Sequence, residues 1–131
     1  MRAELVDWLE AYEPHTFFTV TFGKKWPVGP TPVAVQYHLD AFLGSFGDPL
    51  RFCVAERGNS GQRRWHGHGL LLRGAVPCTE DHRRKLWGEW GRRYGRSQFA
   101  PVDVVGGAAG YVAKYCTQYR YEDRWWIAGR D

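Results

Sequence analysis

His66 and His68 stand one residue apart in the run Trp65-His66-Gly67-His68-Gly69-Leu70-Leu71-Leu72. Side chains of an extended chain alternate with period two, so both imidazoles fall on one face and can share a metal ion. Two nitrogens do not complete a site, and a third ligand is available from the segment before them. Leu50 to Arg57 and Trp65 to Leu72 read as the two strands of a hairpin, joined by the turn material Gly58-Asn59-Ser60-Gly61 and the polar Gln62-Arg63-Arg64. Phe52, Val54 and Glu56 share one side of the first strand, and hairpin pairing can bring Glu56 opposite the histidines. Two imidazoles and one carboxylate with open positions suit Mg²⁺ or Mn²⁺, and the nitrogen ligands also suit zinc. The plainer alternative leaves Glu56 at its strand end beside Arg57 and the histidines bonded to backbone.

A second constellation lies further on. Tyr111, Lys114, Tyr115 and Gln118 are spaced i, i+3, i+4 and i+7, which gathers them on one face of a helix. An isolated Tyr-x-x-Lys is usually a packing pattern. Beside a metal site it gains a chemical meaning, because a deprotonated tyrosine oxygen is a nucleophile and a nearby cation lowers the cost of its charge. A metal holding a phosphate would polarise the P–O bond and stabilise the charge of an in-line phosphoryl transfer.

The elements that must position these residues follow from periodicity and breakers. Arg2 to Tyr12 carries Leu5, Trp8, Leu9 and Tyr12 at helical spacing, and Pro14 ends that helix. His15 to Phe22 is aromatic and β-branched and reads as a central strand, with Phe18, Val20 and Phe22 on one face and Phe17, Thr19 and Thr21 on the other. Gly23 to Pro32 is a loop. Val35, Leu39, Phe42, Leu43 and Phe46 then predict a helix from Pro32 to Gly47, broken by Asp48-Pro49. Gly74 to Pro77 closes the second hairpin strand, and Thr79 caps a helix carrying Leu86, Trp87, Trp90 and Tyr94, with Glu80 and Asp81 in its first turn. Ser97 to Val105 is a fourth strand, Gly106-Gly107 a turn, and Ala108 to Tyr119 a last helix. The tail Arg120 to Asp131 is a short strand, a packed extension or the start of a linker. Helices alternating with strands joined partly by a hairpin predict an α+β fold: a central antiparallel sheet of about five strands with helices against one face, on the ferredoxin-like, RRM-like plan.

The totals bound the class. A chain of 131 residues is one domain with room for a core. No apolar run is long enough to span a membrane and the N-terminus does not resemble a signal peptide, which points to the cytoplasm. Cys53, Cys78 and Cys116 form no C-x-x-C pair and read as small buried hydrophobes. The formal charge is +4, with Arg57, Arg63 and Arg64 flanking the histidines and Arg83, Arg84, Lys85, Arg92, Arg93 and Arg96 forming a second basic region. Seven tryptophans and seven tyrosines accompany these bases, a mixture suited to phosphates and stacked nucleobases. Arg57, Arg63 and Arg64 are the candidate phosphate contacts. His15, His38 and His82 lack partner sets and are read as structural.

Taken together the motifs resemble those of the HUH family of single-stranded DNA nucleases, in particular the rolling-circle replication initiator (Rep) proteins of plasmids and small DNA phages. The aromatic, threonine-rich strand is matched by Phe17-Phe18-Thr19-Val20-Thr21-Phe22, and the His-hydrophobic-His motif by His66-Gly67-His68, with glycine in place of the bulky central residue. The Tyr-x-x-Lys motif is matched by Tyr111-Val112-Ala113-Lys114. All three occur in the family's order, across about residues 15 to 119. The resemblance implies that Glu56, His66 and His68 hold Mn²⁺ or Mg²⁺, and that Tyr111 attacks a DNA phosphate, leaves a free 3′-hydroxyl and becomes linked to the 5′-phosphate, in a reversible step that starts and ends rolling-circle replication. Lys114 would position or neutralise the phosphate or help activate the tyrosine. Tyr115 resembles the second nucleophile of the two-tyrosine branch, although Gln118 stands where that branch carries a lysine and can hydrogen-bond but not neutralise a phosphate. Gln118 is thereby a candidate DNA contact. The implied partner is single-stranded DNA at a hairpin-associated origin, with a host helicase, since the chain has no G-x-x-x-x-G-K-[ST] loop. The chain would then be one nuclease domain, whole or the N-terminal part of a longer initiator. The readings that compete with this are a noncatalytic RRM-like module that stacks single-stranded nucleic acid on exposed aromatics, and a relaxase or transposase relative sharing the same chemistry.

Overall fold

The computed structural model describes residues 2–23, 25–26, 31–57, 65–74, 76, 79–102 and 124–131. They form three helices and five strands, α1 (Arg2–Ala11), β1 (Thr16–Val20), α2 (Pro32–Gly44), β2 (Arg51–Arg57), β3 (Trp65–Leu71), α3 (Glu80–Arg93), β4 (Ser97–Pro101) and β5 (Arg124–Ala128). The strands make one antiparallel sheet in the order β4-β1-β3-β2-β5. The α+β class and the five-stranded antiparallel sheet are therefore as expected. In the connectivity, α2 joins β1 to β2 and α3 joins β3 to β4, while β3 and β1 fill the gaps, so the first four strands form two interleaved split βαβ units. The fifth strand pairs with β2 and resolves the tail as a short strand.

Period-two alternation divides the sheet's residues between two cores. Phe18, Val20, Cys53, Ala55, Leu71, Phe99 and Trp126 face α2 and α3, where they meet Val35, Leu39, Phe42, Leu43, Leu86 and Trp90. Phe52, Val54, Leu70 and Leu72 point the other way and pack with Leu9 of α1, with Trp8, Tyr12, Phe17 and Trp125 around them. Helices thus lie on both faces, not one. An amphipathic helix has one apolar stripe and buries it on whichever face its connection allows. Here Tyr12 O accepts from Arg73 N at 2.9 Å and His15 N donates to Leu71 O at 3.0 Å, and these bonds tie the end of α1 beside β3.

Local chemistry sets the element ends. Thr31 caps α2, its hydroxyl accepting from Ala34 N at 3.1 Å. The helix ends at Gly44, short of the expected Gly47, because Gly47 (φ +89°) and Asp48 (φ +51°) take left-handed backbone and turn the chain into β2. Thr79 caps α3 as expected, accepting from His82 N at 3.2 Å. Strand β1 is shorter than the sequence suggests, although Thr21 N still donates to Arg96 O at 2.8 Å beyond its end. The described part of the fourth strand ends at Pro101, and the rest of its expected span, from 103 to 105, lies outside the described residues. So does the expected helix Ala108 to Tyr119. No helix among the described residues is long and apolar enough to cross a membrane.

A buried polar network locks α2 to the β2–β5 end of the sheet. Arg51, 3% exposed, donates through Nη2 to Asp40 Oδ1 at 3.0 Å and through Nη1 to Asp48 Oδ1 at 2.8 Å and Pro49 O at 2.9 Å. Trp126 Nε1 donates to the same Asp40 oxygen at 2.9 Å. Every charge in this cluster has a partner, which is the condition under which a buried arginine is tolerated.

Candidate metal centre

The β2–β3 register places Glu56 directly across from His66 and Val54 directly across from His68. Alternation then puts the carboxylate and both imidazoles on the face opposite α2 and α3, the face that also carries Val54 and Leu70. One carboxylate oxygen, Glu56 Oε1, lies 3.0 Å from His68 Nε2 and 3.4 Å from His66 Nε2. The two imidazoles are roughly parallel, 29° between planes and 5.5 Å between centroids. The expectation drawn from strand parity is therefore met for all three residues.

Exposure grades across the cluster. His68 is buried at 2%, while His66 and Glu56 are 22% and 26% exposed, so the group is anchored on one side and open on the other. Burial alone would raise the Glu56 carboxyl; the His66 and His68 imidazoles beside it outweigh that and hold it down to about 2. The carboxylate is thus ionised at neutral pH.

The donor set fits a divalent cation. One ligand atom from each of the three residues lies within 4.8 Å of the others, and this is the one such group of three or more among the described residues. Neighbouring corners of an octahedron with bonds of about 2.1 Å are about 3 Å apart, close to the separations between the Glu56 oxygen and the imidazole nitrogens. Two nitrogens and a carboxylate would leave further coordination positions of such an ion unfilled by these three residues.

Two neighbours were not singled out from the sequence. Thr19 pairs with His68 from β1, and Trp125 pairs with Val54 from β5, so both belong to the face that carries the cluster. The alternation of β1 already separated Thr19 from the core residues, but its adjacency to His68 depends on the strand order. Trp125 sits in a five-residue edge strand whose pairing is purely tertiary, and nothing local announced it.

Arg57 ends β2 and alternates to the other face from Glu56, its guanidinium 5.6 Å from the Trp65 ring centroid. It stands at the same end of the sheet as the cluster without joining it. His15 bonds Thr16 Oγ1 through Nδ1 at 2.7 Å, and His38 lies among Phe22, Trp26 and Tyr94, in keeping with structural roles. Cys53 is buried and free, as a small hydrophobe would be. Arg63, Arg64, Tyr111, Lys114, Tyr115, Gln118, Cys78 and Cys116 lie outside the described residues. The strands that flank residues 103–123 are the two opposite edges of the sheet, about 19 Å apart at the usual strand spacing.

Comparisons with protein-family models, with the curated proteins and with the solved structures find no match to this chain.

Proposed function

We propose that this chain is a metal-dependent nickase and strand-transferase of single-stranded DNA, acting through a 5′-phosphotyrosine intermediate. The observation that supports it is the cluster of His66, His68 and the ionised Glu56 carboxylate, held half-open on one sheet face. The order of the aromatic strand, the paired histidines and Tyr-x-x-Lys in the sequence supplies the rest.

A divalent ion bound there, Mn²⁺ or Mg²⁺, would supply Lewis-acid polarisation of the scissile phosphate. Glu56 would contribute the negative charge, and His66 and His68 would contribute nitrogen ligands from neighbouring positions of β3. Tyr111 is the proposed nucleophile. Its Oη loses a proton and bonds to phosphorus as the P–O3′ bond breaks, and the departing 3′-oxygen takes up a proton to become the free hydroxyl. The reverse attack by a 3′-hydroxyl rejoins a strand and frees the tyrosine. Lys114 neutralises the phosphate or helps Tyr111 ionise, Tyr115 is the candidate second nucleophile, and Arg57, Arg63, Arg64 and Gln118 are candidate DNA contacts. The substrate would be single-stranded DNA at a replication origin, with unwinding supplied by a separate helicase.

The test is a denaturing gel of end-labelled single-stranded DNA incubated with the parent, Tyr111→Phe and Tyr115→Phe proteins in Mn²⁺ or EDTA. The proposal expects a metal-dependent product with a free 3′ end, absent for Tyr111→Phe. Half-buried aromatics on the same sheet face, Phe17 and Trp125, favour a second reading as a noncatalytic strand-binding module. That module would retain DNA through EDTA and through Tyr111→Phe while cutting nothing.

A further inference from the structure

The residue between the two histidines is glycine, and the structure gives this a specific physical setting. Gly67 faces away from the cluster, toward the helix layer. A Cβ built there would lie 3.0 Å from Val20 Cγ2 and 3.3 Å from both Val35 Cγ1 and Leu39 Cδ2. Val20, Val35 and Leu39 are fully buried, so none can swing aside into solvent. Val35 and Leu39 are one turn apart on α2, and together they occupy the volume that a side chain at position 67 would need. The helix therefore rests directly on the backbone of the two-histidine segment.

The next glycine pins the same strand from another direction. A Cβ at Gly69 would collide with the carbonyl oxygen of Phe52 and stand 2.9 Å from Phe18 Cζ and 3.1 Å from Cys53 Cα. Its obstacles include backbone, so Gly69 is required by the sheet itself. Those at Gly67 are side-chain tips, so alanine there can be absorbed by a shift of a few tenths of an ångström. Such a shift is comparable to the tolerance of about 0.2 Å on metal–ligand distances.

We infer that Gly67 is a positioning residue for the metal centre: by letting Val20, Val35 and Leu39 seat against β3, it sets the separation of the His66 and His68 imidazoles from the Glu56 carboxylate. This rests on the reading of the cluster as a metal site. Packing on one face of the sheet then tunes metal affinity on the other, through a residue that offers no ligand atom of its own but is joined by peptide bonds to both histidines.

The experiment measures Mn²⁺ affinity calorimetrically for the intact chain, with folding checked by circular dichroism and by metal-free thermal melts. Gly67→Ala is expected to bind about tenfold more weakly while still folded, the order of loss seen when the support of a metal ligand is disturbed. Val20→Ala combined with Gly67→Ala removes the nearest obstructing methyls and is expected to recover most of that loss. A folded Gly67→Ala protein with parental affinity and only a lower melting temperature would overturn the inference, as would a double variant no better than Gly67→Ala. Should Gly67→Ala not fold, Val35→Ala withdraws support from the same strand with the glycine kept; an affinity loss of about threefold or more is expected, and an unchanged affinity would overturn the inference. A parent that binds no Mn²⁺ would instead remove the metal reading itself, and the positioning role with it.

Discussion

Glu56 is the residue on which the centre's charge depends. It is the only acid of the cluster, and its ionised state is maintained by two imidazoles against the cost of burial. Glu56→Gln keeps the shape and removes the charge, so Mn²⁺ affinity by calorimetry should fall at least about tenfold, the lower range found even for outer partners of metal ligands. The same residue gives the metal-free protein an acid dependence. Its carboxyl is depressed from 4.5 to about 2 in the fold, so its contribution to stability is fully present above 4.5 and is lost as pH falls through that window toward about 2. Urea midpoints measured at about pH 6 and about pH 3 should therefore differ less in Glu56→Gln than in the parent.

At the scale of elements, the site depends on two joints, the β2–β3 register and the seating of α2 across the sheet. The second joint is held partly by Asp40, whose one oxygen accepts from both Arg51 and Trp126. Asp40→Ala would take an acceptor from both Arg51 and Trp126 while Asp48 still pairs the guanidinium, and the expected loss is about 1–3 kcal/mol in denaturant unfolding. Thr79→Ala, which removes only the cap of α3, should cost about 1 kcal/mol by the same measurement. How much of this was legible in sequence differs by element. The alternation of β1 and of the hairpin strands is local, so the faces of Phe18, Val20, Glu56, His66 and His68 could be read directly. The face chosen by α1 could not, because an apolar stripe at Trp8 and Leu9 shows that the helix packs but not where. The edge strand β5 is held by its pairing with β2 and by Trp126 on Asp40, contacts far apart in sequence. Gly67 was visible as a departure from a bulky residue, but its reason, the tips of Val20, Val35 and Leu39, exists only once α2 is docked.

At the scale of the whole molecule, the sheet separates two tasks, with most of the core on the side of α2 and α3 and the ionisable cluster on the other. Acid sensitivity outside the cluster should come from His15 and His82, where burial lowers both imidazoles below their ordinary value. The unfolded chain takes up these protons as pH falls through 6.5 and the folded chain resists them, so this stability is present above 6.5 and declines below it. Urea midpoints should drop between about pH 7.5 and about pH 5.5, and His82→Asn should flatten the drop. The central claim, that this scaffold presents a metal to DNA and a tyrosine to phosphorus, is tested most directly by label transfer. The intact chain is incubated with Mn²⁺ and a 3′-labelled pool of random single-stranded DNA, denatured, and mapped by mass spectrometry. The account predicts label covalently attached through a 5′-phosphate to Tyr111, lost in EDTA and in His68→Ala. Label-free protein from a folded, Mn²⁺-bound, DNA-bound sample would contradict it.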